Sequence, residues 1–292
     1  MGCRFLRLMR VCSTIDEMRA ACRTLRRDAG RLGFVPTMGA LHAGHLSLIQ
    51  AAKQSCDAVA ASIFVNPTQF GPNEDLAKYP RPFERDRDLL EREGVDLLFA
   101  PEVEEMYPQG AVTWVTVEGM SDKLDGKSRP GHFRGVTTVV AKLFHIVEPD
   151  AAFFGQKDAV QIAIIRRMVR DLAIPVEIVG CPIVREADGL ALSSRNAYLS
   201  EEQRRQALVL HRALKRAREM ADAGERSAEK LKSVGRSEFE MENSVRLDYF
   251  EIVNPDTLEA VEELAGEALV AVAAFVGTTR LIDNVSLRET SR

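Results

Sequence analysis

The residues best suited to chemistry in this chain lie in one segment, residues 33–45. It begins with an apolar run, passes through Pro36, and contains three glycines and two histidines before the apolar spacing resumes at Leu46. This pattern predicts a strand, a tight turn and the first turn of a helix. The exposed N–H groups and positive dipole end of such a helix start favour the binding of phosphate.

The two histidines of this segment, His42 and His45, are three positions apart, so a helix start would place them on one face. Two imidazoles beside a phosphate can stabilise the charge that develops during phosphate chemistry. We therefore interpret the pattern His-x-Gly-His after a strand as a sign of nucleotidyl transfer.

A second polar loop, residues 66–72, follows the apolar, strand-like run 63–65. The amides of Asn66 and Gln69 both donate and accept hydrogen bonds, which suits a substrate that carries hydroxyls and a carboxylate. The alternative interpretation is an Asn-Pro turn with an incidental glutamine.

A third loop, Gly155-Gln156-Lys157-Asp158, lies between a predicted strand and a predicted helix. The glycine permits a close approach of phosphate, and Lys157 can supply a positive charge to it. Asp158 is alternatively a helix cap. Gln161 lies about one helical turn further on and could point into the same cleft.

A fourth cluster, Ser193-Ser194-Arg195-Asn196, combines two hydroxyls and a guanidinium that could clamp triphosphate oxygens. By itself this signal is weak, because serine-rich loops are common before helices. The sequence has no His-x-x-x-His pair and no calcium-binding loop. A Mg²⁺ ion would therefore arrive with a nucleotide and be held mainly by phosphate oxygens.

Three other patterns carry less weight. No Gly-x-Gly-x-x-Gly follows the strand at 33–35, which argues against a dinucleotide-binding site. Gly126-Lys127-Ser128 resembles the end of a P-loop, but Ser121 stands where the leading glycine is required. Asn284-Val285-Ser286 fits a glycosylation acceptor, which means little in a cytosolic protein.

The elements that must position these residues alternate between strand and helix from residue 32 to about residue 184. This alternation predicts a parallel sheet covered by helices on both faces, with ligands beyond the carboxyl ends of its strands. Strands are predicted at 33–35, 58–65, 95–99, 151–154 and 176–179. Helices are predicted at 46–55, 83–92, 136–147 and 159–172.

The pattern changes after residue 182. A polar loop precedes a long helix with Ser200 as its N-cap, and residues 221–243 predict a loop or an exposed helix. Further strands are predicted at 246–253, 268–275 and 279–283. We therefore expect an α/β domain in residues 1–184 and a smaller α+β domain in residues 185–292.

The composition is that of a soluble globular protein, with 46% hydrophobic and 28% charged residues among 292. The net charge of −4 gives no reason to expect a nucleic acid as partner. No apolar run approaches the roughly 20 residues of a membrane span, and residues 1–10 lack the apolar core of a signal peptide. The five scattered cysteines, including Cys3, indicate free thiols, so we expect a cytoplasmic protein without a membrane contact.

Five motifs together, in the right order, resemble the pantoate–β-alanine ligase family over nearly the whole chain. They are PTMGALHAGH (36–45), VNPTQF (65–70), RPGHFRGV (129–136), FGQKD (154–158) and DGLALSSRN (188–196). The stretches DYF (248–250) and TRLID (279–283) also fit.

This resemblance implies a two-step ligase whose small-molecule substrates are ATP, pantoate and β-alanine. The pantoate carboxylate attacks the α-phosphorus of ATP to give pantoyl adenylate and pyrophosphate. The β-alanine amine then attacks the activated carbonyl and releases pantothenate and AMP. The resemblance further implies a Rossmann-like, doubly wound N-terminal domain, a C-terminal lid, a homodimer and the use of Mg²⁺.

Carried over by position, the resemblance implies that His45 is the proton donor. His42, Lys157, Ser194 and Arg195 are the other expected catalytic residues. The expected pantoate-binding residues are Gln69, Gln161 and Asn66, and Gln69 is also expected near β-alanine. The implied ATP site consists of Met38, Gly39, Ala40, Leu41, His42, Ala43, Gly44, His45, Gly155, Gln156, Lys157, Asp158, Val184, Leu192, Ser193, Ser194 and Arg195.

The chain departs from the family pattern at two of these loops. Thr68 stands where methionine is common, and Val160 stands beside Gln161 where a second glutamine is often found. Neither change removes an expected catalytic group.

Two alternatives stay open. Another His-x-Gly-His nucleotidyltransferase, acting on a phosphorylated acceptor, would need extra Arg or Lys in the second loop, where this chain has Asn66 and Gln69. A non-catalytic, nucleotide-binding regulator would lack at least one of His45, Lys157 and Arg195, and all three are present.

Overall fold

The computed structural model of the chain describes residues 8–72 and 74–288. The predicted free thiol of Cys3 lies outside these residues. Cys12, Cys22, Cys56 and Cys181 are free and buried. Burial raises the pKa of each of these four thiols, that of Cys22 to about 12, so they are poor nucleophiles.

Strands and helices alternate up to β6, and the chain then changes character. The strands are β1 (Arg10–Cys12), β2 (Leu32–Thr37), β3 (Ala58–Ile63), β4 (Leu97–Phe99), β5 (Ala151–Gly155), β6 (Glu177–Cys181), β7 (Val245–Val253), β8 (Glu267–Val276) and β9 (Thr279–Arg288). The helices are α1 (Ile15–Ala29), α2 (Ala43–Ser55), α3 (Phe83–Arg92), α4 (Val103–Met106), α5 (Asp125–Ser128), α6 (His132–Val147), α7 (Ala159–Asp171), α8 (Glu201–Asp222) and α9 (Ala228–Glu240).

The first six strands form one parallel sheet in the order β1-β4-β3-β2-β5-β6. The strand order reverses between β2 and β5, and such a switch point is where parallel sheets bind ligands. β2 ends at Thr37, just before the histidine turn, and β5 ends at Gly155, just before Lys157. The predicted α/β fold with a Rossmann-like parallel sheet is confirmed.

The N-terminal pair β1 and α1 lies ahead of the first predicted element. Thr14 caps α1 by accepting the Glu17 N–H, and the Glu17 carboxylate accepts the Thr14 N–H in return. This helix was not predicted from the sequence, although the spacing of Thr14 and Glu17 is typical of a capping box at a helix start.

The last three strands form a separate antiparallel sheet in the order β7-β8-β9, as expected for a smaller α+β domain. Ser200 caps α8 as predicted. Residues 221–243 contain α9, which buries Leu231 and Phe239 against the core of this sheet and is therefore only partly exposed.

The described chain divides into two compact units. The first holds the described residues up to Ser121, together with Arg129–Gly155 and Ile164–Cys181. The second holds Asp122–Ser128, Gln156–Ala163 and the described residues from Pro182 onward. Across residues 8–72 and 74–288, no helix has the length and apolarity needed to cross a bilayer.

Candidate active site

The turn after β2 is held by two side chains. Thr37 Oγ1 accepts the Gly39 N–H at 3.1 Å. The Asp86 carboxylate, which is 1% exposed, accepts the Leu41 N–H at 3.0 Å. Gly39 has a φ of +81°, which side chains rarely adopt, and a Cβ there would lie 3.1 Å from Asp86. Hydrogen bonds to these two side chains, together with the glycine, therefore fix the backbone conformation of the turn.

His42 and His45 form a capping box at the start of α2. His42 Nδ1 accepts the Gly44 N–H at 3.1 Å, and His45 Nδ1 accepts the His42 N–H at 3.3 Å. The ring centroids are 4.1 Å apart, so the predicted shared face is confirmed. Because each Nδ1 accepts a backbone N–H, each neutral imidazole carries its hydrogen on Nε2. Two N–H donors thus lie at the positive end of a helix, where anions are favoured.

The glycine of His-x-Gly-His has a steric reason. A Cβ at Gly44 would lie 2.9 Å from the His42 ring, so a larger residue would displace the imidazole. Ala43, the variable position of the pattern, is exposed.

Asn66 is the centre of the second loop and is 1% exposed. Its Nδ2 donates to Gln69 Oε1 and to the Gly135 carbonyl, both at 3.1 Å. Its Oδ1 accepts the Tyr107 hydroxyl at 3.0 Å and the Thr68 hydroxyl at 2.9 Å. A contact between Asn66 and a ligand therefore requires one of these bonds to be exchanged.

Gln69 joins the second loop to the histidine turn. Its Nε2 donates to Met38 Sδ at 2.9 Å, and its side chain is largely buried. A thioether is a weak acceptor. A carboxylate or hydroxyl oxygen would therefore replace Met38 Sδ readily as the partner of this N–H.

Three polar residues beside Gln69 had no predicted role. Arg129 donates to both carboxylate oxygens of Glu74, at 2.7 and 2.6 Å, and to His132 Nε2 at 3.0 Å. His132 Nδ1 then donates to the Gln69 carbonyl at 2.7 Å. Burial works to raise the pKa of Glu74, but the hydrogen bonds and charge of Arg129 leave it below its ordinary value. The polar residues of RPGHFRGV were the available signal for this cluster.

The Lys157 turn follows β5 and belongs to the second unit, as does Gln161. A Cβ at Gly155 would meet no atom within 4 Å, so the glycine leaves open space of the kind a phosphate needs. Lys157 Nζ lies 3.0 Å from Asp158 Oδ1, and both side chains are partly exposed. Such a pair contributes little to stability, so Lys157 can exchange it for a phosphate oxygen.

The serine-arginine cluster ends a short hairpin in the second unit. Leu192 N–H donates to the Val184 carbonyl at 2.9 Å. Ser193 Oγ accepts the Arg195 N–H at 3.3 Å and caps the 3-10 turn Ser194–Tyr198. These hydrogen bonds fix the backbone of the hairpin from Val184 to Arg195, which carries the predicted ATP-binding residues of this part of the chain.

The P-loop-like triplet has no P-loop context. Gly126, Lys127 and Ser128 lie in the four-residue helix α5, and Ser128 Oγ donates to Asp248 Oδ2 at 2.7 Å. The interpretation of this triplet as a chance match is confirmed.

Among residues 8–72 and 74–288, no three His, Cys, Asp or Glu side chains are grouped to hold a metal ion. A Mg²⁺ ion that enters on a nucleotide needs no such group, because phosphate oxygens and water supply most of its ligands.

Comparisons with known proteins identify the family. The family described as pantoate-beta-alanine ligase matches residues 10–286. The chain is 64% identical to a pantothenate synthetase of Acidobacterium capsulatum, over 97% of this chain and 98% of that protein. It is 61% identical to a pantothenate synthetase of Koribacter versatilis, over 96% of each.

Solved structures agree. The crystal structure of pantothenate synthetase from Thermus thermophilus has a TM-score of 0.90 and 52% identity, covering 95% of this chain and 99% of that one. A pantoate-beta-alanine ligase from Francisella tularensis, complexed with beta-gamma ATP and beta-alanine, has a TM-score of 0.78 and 35% identity, covering 97% and 99%. The chain belongs to the pantoate–β-alanine ligase family.

Proposed function

We propose that this protein forms pantothenate from pantoate, β-alanine and ATP. A pantoate carboxylate oxygen attacks the α-phosphorus, the bond to the bridging oxygen of the β-phosphate breaks, and pyrophosphate leaves. The β-alanine amine then attacks the acyl carbon, the bond to AMP breaks, and the amine loses a proton. The observation that carries the proposal is the pair of histidines at the start of α2, His42 and His45, whose Nδ1 atoms both accept backbone N–H groups.

The histidines act in the first step, when negative charge grows on the phosphates. Donors that are already oriented stabilise this charge without reorganisation. His45 is the proposed proton donor. In its neutral form, with Nδ1 accepting the His42 N–H, it donates a hydrogen bond from Nε2. It transfers a proton only as the imidazolium, which carries a hydrogen on both ring nitrogens. His42 stabilises charge from the adjacent position.

Gln69, Gln161 and Asn66 are the proposed pantoate-binding residues, and Gln69 also serves β-alanine. Gln69 Nε2 exchanges the weak acceptor Met38 Sδ for a substrate oxygen. Asn66 contributes mainly by orienting Gln69, since its Nδ2 already donates to Gln69 Oε1.

Lys157 and Arg195 are proposed to neutralise charge on the triphosphate, and Ser194 to donate a hydrogen bond to it. A Mg²⁺ ion would enter as part of the Mg–ATP substrate. The proposed ATP site comprises residues 38–45, 155–158, 184 and 192–195.

Residues 1–184 are assigned to ATP and pantoate binding and residues 185–292 to a lid. Limited proteolysis tests the lid, because ATP should protect the loop 185–196 from cleavage. Equal cleavage at saturating ATP would contradict closure.

The activity is tested by incubating the protein with ATP, pantoate and β-alanine. We expect AMP and pantothenate in equal amounts, and pyrophosphate with pantoyl adenylate when β-alanine is left out. Formation of ADP would contradict the proposal, and so would release of AMP that depends on neither pantoate nor β-alanine. Adenylylation of a phosphorylated acceptor would favour another His-x-Gly-His nucleotidyltransferase.

We further propose a cytoplasmic homodimer. The free, buried thiols of the described cysteines suit a reducing compartment, and cell fractionation tests this.

Residues 111–116 lie outside helices and strands and expose Val112 (81%) and Trp114 (43%), which a second copy would cover.

A further inference from the structure

Two consecutive residues of β9, Asp283 and Asn284, hold the segments of the second unit that carry predicted ATP-binding residues. Each is 3% exposed. A buried polar group costs free energy unless it has a hydrogen-bond partner, and Asn284 Nδ2 and both Asp283 oxygens have such partners. The sequence singled out Asn284 only through its glycosylation-like triplet, and its burial excludes that use in the folded chain.

Asn284 holds the Lys157 turn. Its Nδ2 donates to the Gln156 carbonyl at 2.8 Å and to the Lys157 carbonyl at 2.9 Å. One planar amide therefore binds two successive carbonyls of the same turn. This fixes the backbone from which the Lys157 side chain starts.

Asp283 holds the hairpin. Its two carboxylate oxygens accept Arg185 Nη1 at 2.6 Å and Nη2 at 2.9 Å, a bidentate pair. Arg185 Nη1 also donates to the Gly189 carbonyl at 3.0 Å, and Arg185 pairs with Ala191 in an antiparallel bridge. The hairpin that leads into Ser194 is thus anchored at its base.

The two contacts are linked, because the Asn284 N–H donates to Asp283 Oδ1 at 2.8 Å. We propose that Asp283 and Asn284 are positioning residues that keep the Lys157 turn and the hairpin of residues 184–195 in one arrangement for ATP. The inference rests on the proposed ATP roles of Lys157 and Arg195. Segments ordered before binding lose less conformational freedom when the nucleotide arrives.

Asn284→Ala and Asn284→Asp test the amide. The aspartate keeps the shape but has no hydrogen to donate, so it places a negative charge against two carbonyl oxygens. We expect each variant to raise the KM for ATP about tenfold. The KM for β-alanine should stay unchanged, because its predicted partner, Gln69, belongs to the first unit. An unchanged KM for ATP in both variants would overturn the proposal.

Lys157→Ala separates this inference from the proposed function. If Asn284 acts through Lys157, adding Asn284→Ala to Lys157→Ala raises the KM for ATP far less than Asn284→Ala does alone. A wild-type KM for ATP in Lys157→Ala would contradict the ATP role of Lys157 itself. A raised KM in Lys157→Ala beside a wild-type KM in Asn284→Ala would overturn only the positioning role.

Leu281→Ala is the matched control on β9, since Leu281 is 5% exposed in the core of the sheet and has no polar side-chain atom. It should lower the melting temperature and leave the KM for ATP unchanged; a raised KM would assign the effect to strand stability and overturn the proposal. Asp283→Asn gives a second route if Asn284 variants do not fold. It removes the charge facing Arg185 and should also raise the KM for ATP, and an unchanged KM would remove Asp283 from the pair.

Discussion

Each imidazole of the histidine turn has one nitrogen committed to the backbone, and this commitment decides its chemistry. Because Nδ1 of His42 and Nδ1 of His45 accept N–H groups, both rings present a hydrogen on Nε2. A neutral imidazole in this form donates to phosphate oxygens without first binding a proton. The same bonds cap α2, so structure and chemistry use the same two residues.

His45→Ala should therefore slow adenylate formation much more than it weakens ATP binding. Loss of a positioned proton donor lowers a rate by about 10² to 10⁴. Single-turnover release of pyrophosphate measures the step, and calorimetry measures ATP affinity. His45→Gln is the control that donates a hydrogen bond but transfers no proton. Wild-type rates in His45→Ala would refute the assigned role.

His211 makes the stability of the second unit depend on pH. A Cβ at Gly189 would lie 2.5 Å from the His211 ring, so the hairpin covers it closely. Burial and then the charge of Arg185 hold the pKa of His211 below its ordinary value. The unfolded chain therefore takes up this proton at a higher pH than the folded chain. The resulting stability is present above the unfolded pKa and is lost as the pH falls through the folded pKa.

His211→Gln should remove this dependence. The difference in melting temperature between wild type and the variant should shift in favour of the variant between about pH 7.5 and pH 5.5, because only the wild-type residue titrates. Thermal melts at several pH values measure it. A difference that stays constant with pH would contradict the assignment.

At the scale of elements, the local sequence predicted helices and strands, but it did not predict contacts between residues that are far apart in the chain. The predicted helix at 83–92 coincides with α3, and the strand–turn–helix around His42 follows from apolar runs and glycines that are neighbours in sequence. By contrast, Glu74 and Arg129 are 55 positions apart, and nothing local joins them. The role of Asn66 as a hub also depends on Tyr107, which folding alone brings to it.

Gly135 shows how one element positions another. A Cβ at this position of α6 would lie 2.4 Å from the Thr68 carbonyl oxygen, a backbone atom that cannot rotate away. Gly135→Ala should therefore displace the loop of Asn66 and Gln69 and cost about 1–3 kcal/mol of folding free energy. It should also raise the KM for pantoate, which steady-state kinetics measures together with the melting temperature.

Gly71→Ala is the matched control in the same loop. A Cβ there would lie no closer than 3.7 Å to another residue, an ordinary contact with Glu74. This variant should keep the wild-type stability and KM for pantoate. If Gly135→Ala behaved in the same way as Gly71→Ala, close approach of the loop to α6 would not explain the glycine.

At the scale of the whole molecule, the predicted site residues come from both compact units. His42, His45 and Gln69 belong to the first, whereas Lys157 and Arg195 belong to the second. The second unit also takes two segments from earlier in the chain, Asp122–Ser128 and Gln156–Ala163. Composition changes along the sequence cannot reveal such an exchange, because each segment is too short to alter the local pattern.

In the proposed homodimer, the second copy would cover the exposed side chains of residues 111–116. Residues 111–116 are anchored to α6, since Thr138 Oγ1 accepts the Val115 N–H at 3.0 Å and Thr137 Oγ1 donates to the Val115 carbonyl at 2.6 Å. Val112 and Trp114 stay exposed beside this anchor. A charge on each would oppose burial between two copies without disturbing Val115.

The double variant Val112→Asp/Trp114→Asp should therefore halve the mass measured by light scattering and keep the melting profile of a folded chain. Val103→Asp is the control, because Val103 is a 38% exposed valine of α4 and lies outside this segment. A wild-type mass of one chain would refute the dimer. A dimer that survives the double variant but dissociates with Val103→Asp would move the interface away from residues 111–116.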